Sequence, residues 1–405
     1  MHIRSLFLLV FAAASFLHGV EIKGLRLNSG IAQNNFPVVL LGESLKPIEI
    51  GFDVDSDEYP SLVIRFVYCD SDWQPTKNMT LANYHKLLAF NLKITDLPFA
   101  TRGARYTFKE SFPNEGYDVE FPYSGKMMFR IEDSFDPSKV YATGRFYVVE
   151  TVTRLKLDVI KNQGSLSPGY SISDTRTSEL KTNFILSDEF FPFQIQGVEF
   201  VKNRELTDAV TVKNNQNNNA GLSSWNGNRN FEFRALGVKP GNEYRKTDLR
   251  SVIRNQAEIL KAGVDEIEYS RYDKRGSPDN DGDSELMPAK GEQADYVKVR
   301  FSIRPPEPVE KIVLVGSFTQ WDTNEQYTLT NNNGVYSTIV ELRRGYYEYK
   351  YVAFRKDERG NLQKDEVYLE GNFPDSKHEY SAFLMYREES MGGYDRIIGY
   401  TTIKK

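Results

Sequence analysis

A two-residue alternation of apolar and polar side chains recurs along this 405-residue chain and leaves few fold classes open. In the run Leu62–Tyr68 the apolar face is Leu62, Ile64, Phe66 and Tyr68. In Lys126–Glu132 it is Met127, Phe129 and Ile131, with the intervening charges assigned outward. Tyr296–Ile303 alternates in the same way, Ile312–Val315 is apolar throughout, and Gly345–Val352 supplies a third strong strand near the C-terminal end. A period of two places every second side chain on one face of an extended strand, whereas a helix needs a period near 3.6. Turn formers such as Ser124-Gly125 punctuate these runs, and long Ala/Leu/Glu/Lys heptads are absent. The 24 Tyr and 26 Phe residues add to the strand-favouring composition.

A chain of 405 residues exceeds one ordinary domain and suggests three. Trp73, Trp225 and Trp321 lie far apart, each in its own segment rich in Gly, Asp, Ser or Asn. Such a tryptophan marks a sandwich corner more readily than a catalytic centre. The expected fold is therefore all-β, a tandem of β-sandwich modules of immunoglobulin-like or early-set-like type. The expected boundaries are 20–150, 151–272 and 295–405, with a Gly/Pro/Asp-rich linker over 273–294. Residues 1–19 read as a secretory signal: Arg4 lies in a short positive head, and the apolar run Leu6–Ala14 falls short of a ~20-residue membrane span. Cleavage after Ser15 or after Gly19 fits equally, and no cysteine follows to carry a lipid anchor. No later stretch is apolar enough to cross a bilayer as a helix, so an exported, soluble chain is expected.

Several function classes lose support at this stage. The 51 basic and 56 acidic residues are interspersed and give a formal charge of −5, which points away from a nucleic-acid partner. Cys69 is the sole cysteine, so no intramolecular disulfide can form. It reads as a small, inert buried residue, because only His85 and His378 follow the signal to act as a base. Nucleophile, base and metal-ligand residues do not cluster, so no catalytic residue, metal or cofactor is assigned and the expectation is a non-enzyme. The loop Asp279–Glu285 is rich in oxygen ligands. Its EF-hand register fails, however, with Ser277 at position one and Pro288 at position twelve, and a solvated acidic loop is expected.

Six short blocks stand in order along the chain: Cys69-Asp70-Ser71-Asp72-Trp73; Gly241-Asn242-Glu243-Tyr244-Arg245 leading to Asp248-Leu249-Arg250; Gly316 to Trp321; Gly345 to Tyr349; Glu370-Gly371-Asn372-Phe373; and Tyr394-Asp395-Arg396-Ile397-Ile398-Gly399-Tyr400. Together, from about residue 20 to 405, they resemble the plug protein family of the type IX secretion system. The resemblance implies a periplasmic protein that seals the inner mouth of a large outer-membrane translocon barrel when no cargo occupies it. The barrel is then the expected partner, with no small-molecule substrate.

The candidate partner-binding residues come from these blocks: Asp72, Trp73, Glu243, Arg245, Arg250, Trp321, Asp395 and Arg396. Asp72 can instead cap turn amides while Trp73 covers a core edge, and Glu243, Arg245, Asp248 and Arg250 can pair among themselves. Gly316–Trp321 also resembles the corner of glycogen-binding modules, which leaves an exported carbohydrate-binding protein as the alternative. Trp321 and Lys350 would then be the sugar-facing groups.

Overall fold

The computed structural model describes residues 19–31, 36–42, 45–87, 89–114, 116, 118–162, 176–251 and 259–405. The signal expected over 1–19 lies outside these residues apart from position 19. Among the described residues, helix is confined to a four-residue α-turn at Met79–Ala82 and short 3-10 turns. The chain is all-β.

The first module comprises β1 (Glu21–Ser29), β2 (Val38–Leu40), β3 (Ile48–Asp55), β4 (Leu62–Cys69), β5 (Phe90–Asn91), β6 (Thr95–Asp96), β7 (Tyr106–Phe112), β8 (Gly125–Asp133) and β9 (Val140–Val149). One sheet runs β1-β3-β7-β6 and the other β2-β9-β8-β4-β5. The alternation read from the sequence places the side chains as expected: Leu62, Ile64, Phe66 and Tyr68 enter the core with Met127, Phe129 and Ile131. They meet Phe52, Phe108 and Phe112 from the facing sheet.

The chain continues through β10 (Leu155–Asn162), β11 (Thr177–Ile185), β12 (Ile195–Lys202), β13 (Val210–Lys213), β14 (Asn217–Asn218), β15 (Gly221–Trp225) and β16 (Asn230–Val238). It then passes through β17 (Arg245–Asp248), β18 (Leu260–Lys261), β19 (Glu268–Tyr269), β20 (Glu285–Leu286), β21 (Tyr296–Arg304), β22 (Lys311–Gly316), β23 (Thr330–Asn332), β24 (Val335–Arg343), β25 (Gly345–Lys356) and β26 (Leu362–Asp365). It ends with β27 (Glu379–Glu388) and β28 (Tyr394–Lys404).

Sheet membership cuts across the boundaries expected from the sequence. The second sandwich sets β10-β11-β16-β15-β14 against β13-β12-β27-β28, so the last two strands of the chain complete the middle module. In the third, β25 pairs with β17, β20, β22 and β26, and β21 pairs with β18, β19 and β24. Strands from 245–286 thus join 296–365 in one unit. The reason lies in β27. Tyr380, Ala382, Leu384 and Tyr386 fill the middle core, while Phe383 and Met385 on its other face pack against the first module. A strand apolar on both faces carries no local mark of the sheet that takes it.

The expected linker is also built in. Glu348 accepts hydrogen bonds from the backbone N–H groups of Asn280 (2.7 Å) and Gly282 (2.8 Å), which ties this segment to β25.

Candidate functional site

At the first tryptophan corner Asp70, rather than Asp72, caps the turn: its Oδ1 accepts from the N–H of Asp72 at 3.0 Å and of Gln74 at 2.9 Å. Asp72 stays exposed. Trp73 is 9% exposed and sits edge-on to Tyr147 at 5.2 Å. The Lys126 ammonium lies 4.8 Å from its ring centroid, within cation–π range.

Lys126 and Glu132, assigned outward from the alternation, are buried. Lys126 is covered by the second module, where its Nζ donates to Glu199 at 2.8 Å; within its own module it donates to Ser71 O at 2.7 Å. Tyr147 donates to the same Glu199 at 2.6 Å. Around this polar pin, Phe36, Val38, Tyr147 and Val149 pack on Val201, Leu206, Phe383, Met385 and Ile397. The first corner therefore belongs to the seam between modules one and two.

The third corner is equally internal. Trp321 is 1% exposed, donates its indole N–H to Gly282 O at 2.9 Å and lies 4.0 Å from the Tyr244 ring. Tyr244 reaches into the second module, donating to Glu205 at 2.6 Å and accepting from Asn203 Nδ2 at 3.0 Å. Lys350 also donates to Glu205, at 2.6 Å, and to Glu366 at 3.1 Å. Burial alone would raise the Glu205 carboxyl, but Lys202 and Lys350 outweigh it and hold it below its usual range. His378 meets Asn203 at 3.2 Å through Nδ1. Burial first, then the cations Lys202, Lys350, Lys404 and Arg275, push this imidazole well below its ordinary pKa, so it stays neutral.

The remaining candidates divide by exposure. Arg245 is buried within the third module, bonded to Glu370 at 2.9 Å and Glu268 at 3.0 Å. Glu243 is buried and accepts the N–H of Asp279 (3.2 Å) and of Lys377 (2.9 Å). Arg250 is half-exposed and pairs with Asp248 and Glu285. Arg396 pairs with Glu150 and Glu388, and Asp395 with Arg387, at the junction of β9 with β28. These eight residues do not converge on one pocket. Trp73, Glu243, Arg245 and Trp321 are interior, while Asp72, Arg250, Asp395 and Arg396 keep solvent-facing surface.

Neither acidic feature forms an open cation site. In the 279–285 loop, Asp279 accepts amides of Tyr244 and Asp281, Asp283 pairs with Arg204, and Asp281 pairs with Lys404. Glu205, Asp208 and Glu366 converge as well, but Lys350 and Lys364 already hold them. Burial pushes the Cys69 thiol up to about 12, which removes the thiolate a nucleophile needs.

Sequence reasoning missed the acid–base pins between modules. Asp53, at 0% exposure, accepts from Arg343 Nη1 at 2.8 Å and from Tyr296 Oη at 2.9 Å, locking module one to module three. Asp53 stands in the polar register of an alternating strand, with Glu49 and Asp55, so nothing local marked it as interior. Trp225 belongs to no seam: it stacks on Phe231 at 5.6 Å, with Phe193 edge-on at 5.1 Å and itself 82% exposed.

Between modules one and three lies a cleft of about 830 Å³, lined by Val20–Arg26, Val140–Arg145, Ser317–Gln320 and Ile339–Arg343 among others.

Comparison with known proteins sets this geometry in context. Residues 299–356 match the family described as the glycogen recognition site of AMP-activated protein kinase. No curated protein matches the chain. A hypothetical protein from Parabacteroides merdae, solved by crystallography at 2.30 Å, superposes with a TM-score of 0.77 over 96% of this chain and 98% of that one. At 20% identity that likeness is one of fold. A 1.5-MDa bacterial ice-binding adhesin aligns at 10% identity over 86% of this chain and 96% of that one, and its TM-score of 0.17 carries no argument. Residues 22–150 match the type 9 secretion system plug protein 1st domain. The first module therefore belongs to the family of type 9 secretion system plug protein 1st domains.

Proposed function

We propose that this chain is a non-enzymatic periplasmic component of the type IX secretion system that closes the periplasmic opening of the outer-membrane translocon barrel when cargo is absent. The observation that carries this reading is the match of residues 22–150 to the plug protein's first domain. The architecture suits it. Three sandwiches pinned to one another by buried pairs, Lys126–Glu199, Lys350–Glu205 and Arg343–Asp53, make a body that resists deformation at a wide pore. Occlusion of this kind needs bulk and stiffness rather than a reactive pocket. Cargo competes with the docked state, so docking must be reversible, with moderate affinity spread over several exposed contacts. Asp72, Arg250, Asp395 and Arg396 are the proposed contacts, because they retain solvent-facing surface.

The test is affinity purification of a tagged full chain from native membranes, with a large outer-membrane barrel expected to co-purify. Its absence would sink the assignment.

The match over 299–356 favours a second reading, carbohydrate binding by the third module. Sugar platforms need exposed aromatic faces, yet Trp321 is 1% exposed and Lys350 4%. Affinity electrophoresis through glycogen-containing gels is therefore expected to show no retardation. Clear retardation would restore the carbohydrate reading.

A further inference from the structure

The cleft between modules one and three is bordered by strand edges that no described strand covers. The turn Asn333-Gly334 has φ of 52° and 83° and joins β23 to β24 with Asn332 opposite Val335. In such a two-residue hairpin the closing pair exchanges both backbone bonds, and the pattern then repeats every second residue. Val335 and Ser337 therefore face β23, and Ile339, Glu341 and Arg343 face the same side. Pairing with β23 ends at Ser337, so among the described residues no strand lies beside Ile339–Arg343 there. The Arg343 carbonyl is taken by Tyr347 Oη at 2.6 Å, which leaves the N–H and C=O of Ile339 and Glu341 on an open edge.

Across the cleft the edge of β9 is open in the same way. β2 covers only Tyr147–Val149, so among the described residues Val140–Phe146 has no strand on that side. There the Gln320 carboxamide donates to Thr143 O at 2.9 Å, the position a neighbouring peptide group would occupy.

Charge narrows the occupant. Lys23 faces Glu341 (2.7 Å), Asp55 (3.0 Å) and Glu21 (3.4 Å); Arg145 pairs with Asp322, and Arg343 with Asp53. Arg26 also lines the cleft, and among the described residues it has no carboxylate partner, its Nη1 donating to Gly24 O at 3.1 Å. Arg145 Nε, Ser317 Oγ and Arg343 Nε, on residues that line the same cleft, are buried and make no hydrogen bond among the described residues. The walls thus offer a strand edge, apolar contact from Val140 and Ile339 (37% and 47% exposed), and one guanidinium, Arg26, with no described carboxylate within ion-pair distance.

We propose that this cleft receives an extended polypeptide segment bearing a central carboxylate, which adds as a strand to Ile339–Arg343 and sets that carboxylate against Arg26. A five-residue strand spans about 16 Å at ~3.3 Å per residue. Main-chain bonds supply affinity in strand addition, and side chains on alternate positions supply selectivity. The inference goes beyond occlusion of the barrel and stands or falls separately from it.

The probe is a labelled seven-residue peptide alternating threonine and valine around a central glutamate, titrated by fluorescence anisotropy against the full chain. Micromolar binding is expected. Methylation of alternate backbone amides should weaken it about tenfold, or ~1.4 kcal/mol, as should Ile339→Pro, which removes one outward N–H. Exchanging the peptide's glutamate for lysine, or Arg26→Gln in the protein, should weaken binding by a similar factor. Amide exchange at Ile339 and Glu341 should slow in the presence of the peptide, a reading that does not depend on any variant's stability. No binding at millimolar peptide, or affinity indifferent to amide methylation or to the exchange of glutamate for lysine, overturns the proposal. Concentration-dependent self-association abolished by Ile339→Pro overturns it too, because a second copy would then be the occupant.

Discussion

Trp73 and Trp321 share a backbone that bulky residues rarely adopt, with φ of 61° and 63°. That conformation costs on the order of 1–3 kcal/mol and persists where the surroundings fix it. Here the rings are held by Tyr147 and Lys126 in one case, and by Tyr244 and the Gly282 carbonyl in the other. Trp321→Ala removes the packing and orphans that carbonyl, so a loss of about 3–5 kcal/mol is expected, read as a lower denaturant midpoint.

His378 ties stability to pH. Its folded pKa lies well below the ordinary 6.5, so below pH 6.5 the unfolded chain binds a proton that the folded chain refuses. Its contribution to stability is present above 6.5 and lost as pH falls beneath it. His378→Gln is expected to flatten the acid side of the stability curve by up to about 1.4 kcal/mol per pH unit, measured by denaturation between pH 7 and 5. An unchanged slope would exclude His378 as a source of acid sensitivity. Trp and Asp in turn-forming company were legible as corners. That Trp321 faces Tyr244 rather than solvent was not, because Tyr244 lies 77 positions earlier in the chain.

At the level of strands, β27 and β28 set the architecture of the second module although they lie at the far end of the chain. β12 pairs with β27 from Ile195 to Lys202, and β27 pairs with β28 from Glu379 to Lys404. Deleting 377–405 therefore strips two of the four strands from one sheet of the middle sandwich and leaves β12 with an open edge. Hydrogen exchange should show amides of β12 and β13 losing protection while those of β21 and β24 keep theirs. Were the third module to unravel instead, the assignment of these strands would fail. The strands themselves were legible from alternation and from runs such as Ile312–Val315. Their partners were not, because alternation encodes which face is apolar and says nothing of the strand alongside.

For the molecule as a whole, buried charge pairs at the seams keep three sandwiches in one arrangement. Asp53→Ala removes one partner of the Asp53–Arg343 pair and leaves a guanidinium buried without its carboxylate. Breaking a buried pair in this way costs about 3–5 kcal/mol. The loss should appear as a larger radius of gyration in solution scattering and faster proteolysis near Met287–Ala294. Arg343→Met together with Asp53→Leu should recover part of that loss, since an apolar pair of similar volume avoids the unpaired charge.

The sequence by itself determined the class of fold and the position of most core strands, because those follow from side-chain periodicity within a few residues. It also determined the family resemblance carried by six ordered blocks. The tertiary structure decided which sheet received 379–404, which charges were interior and which strand edges stayed open. Each of these depends on what a distant segment places against a given face. Lys126 shows the reason: its alternation marks an outward side chain, and only the arrival of Glu199 from the next module turns that outward face into an interior one.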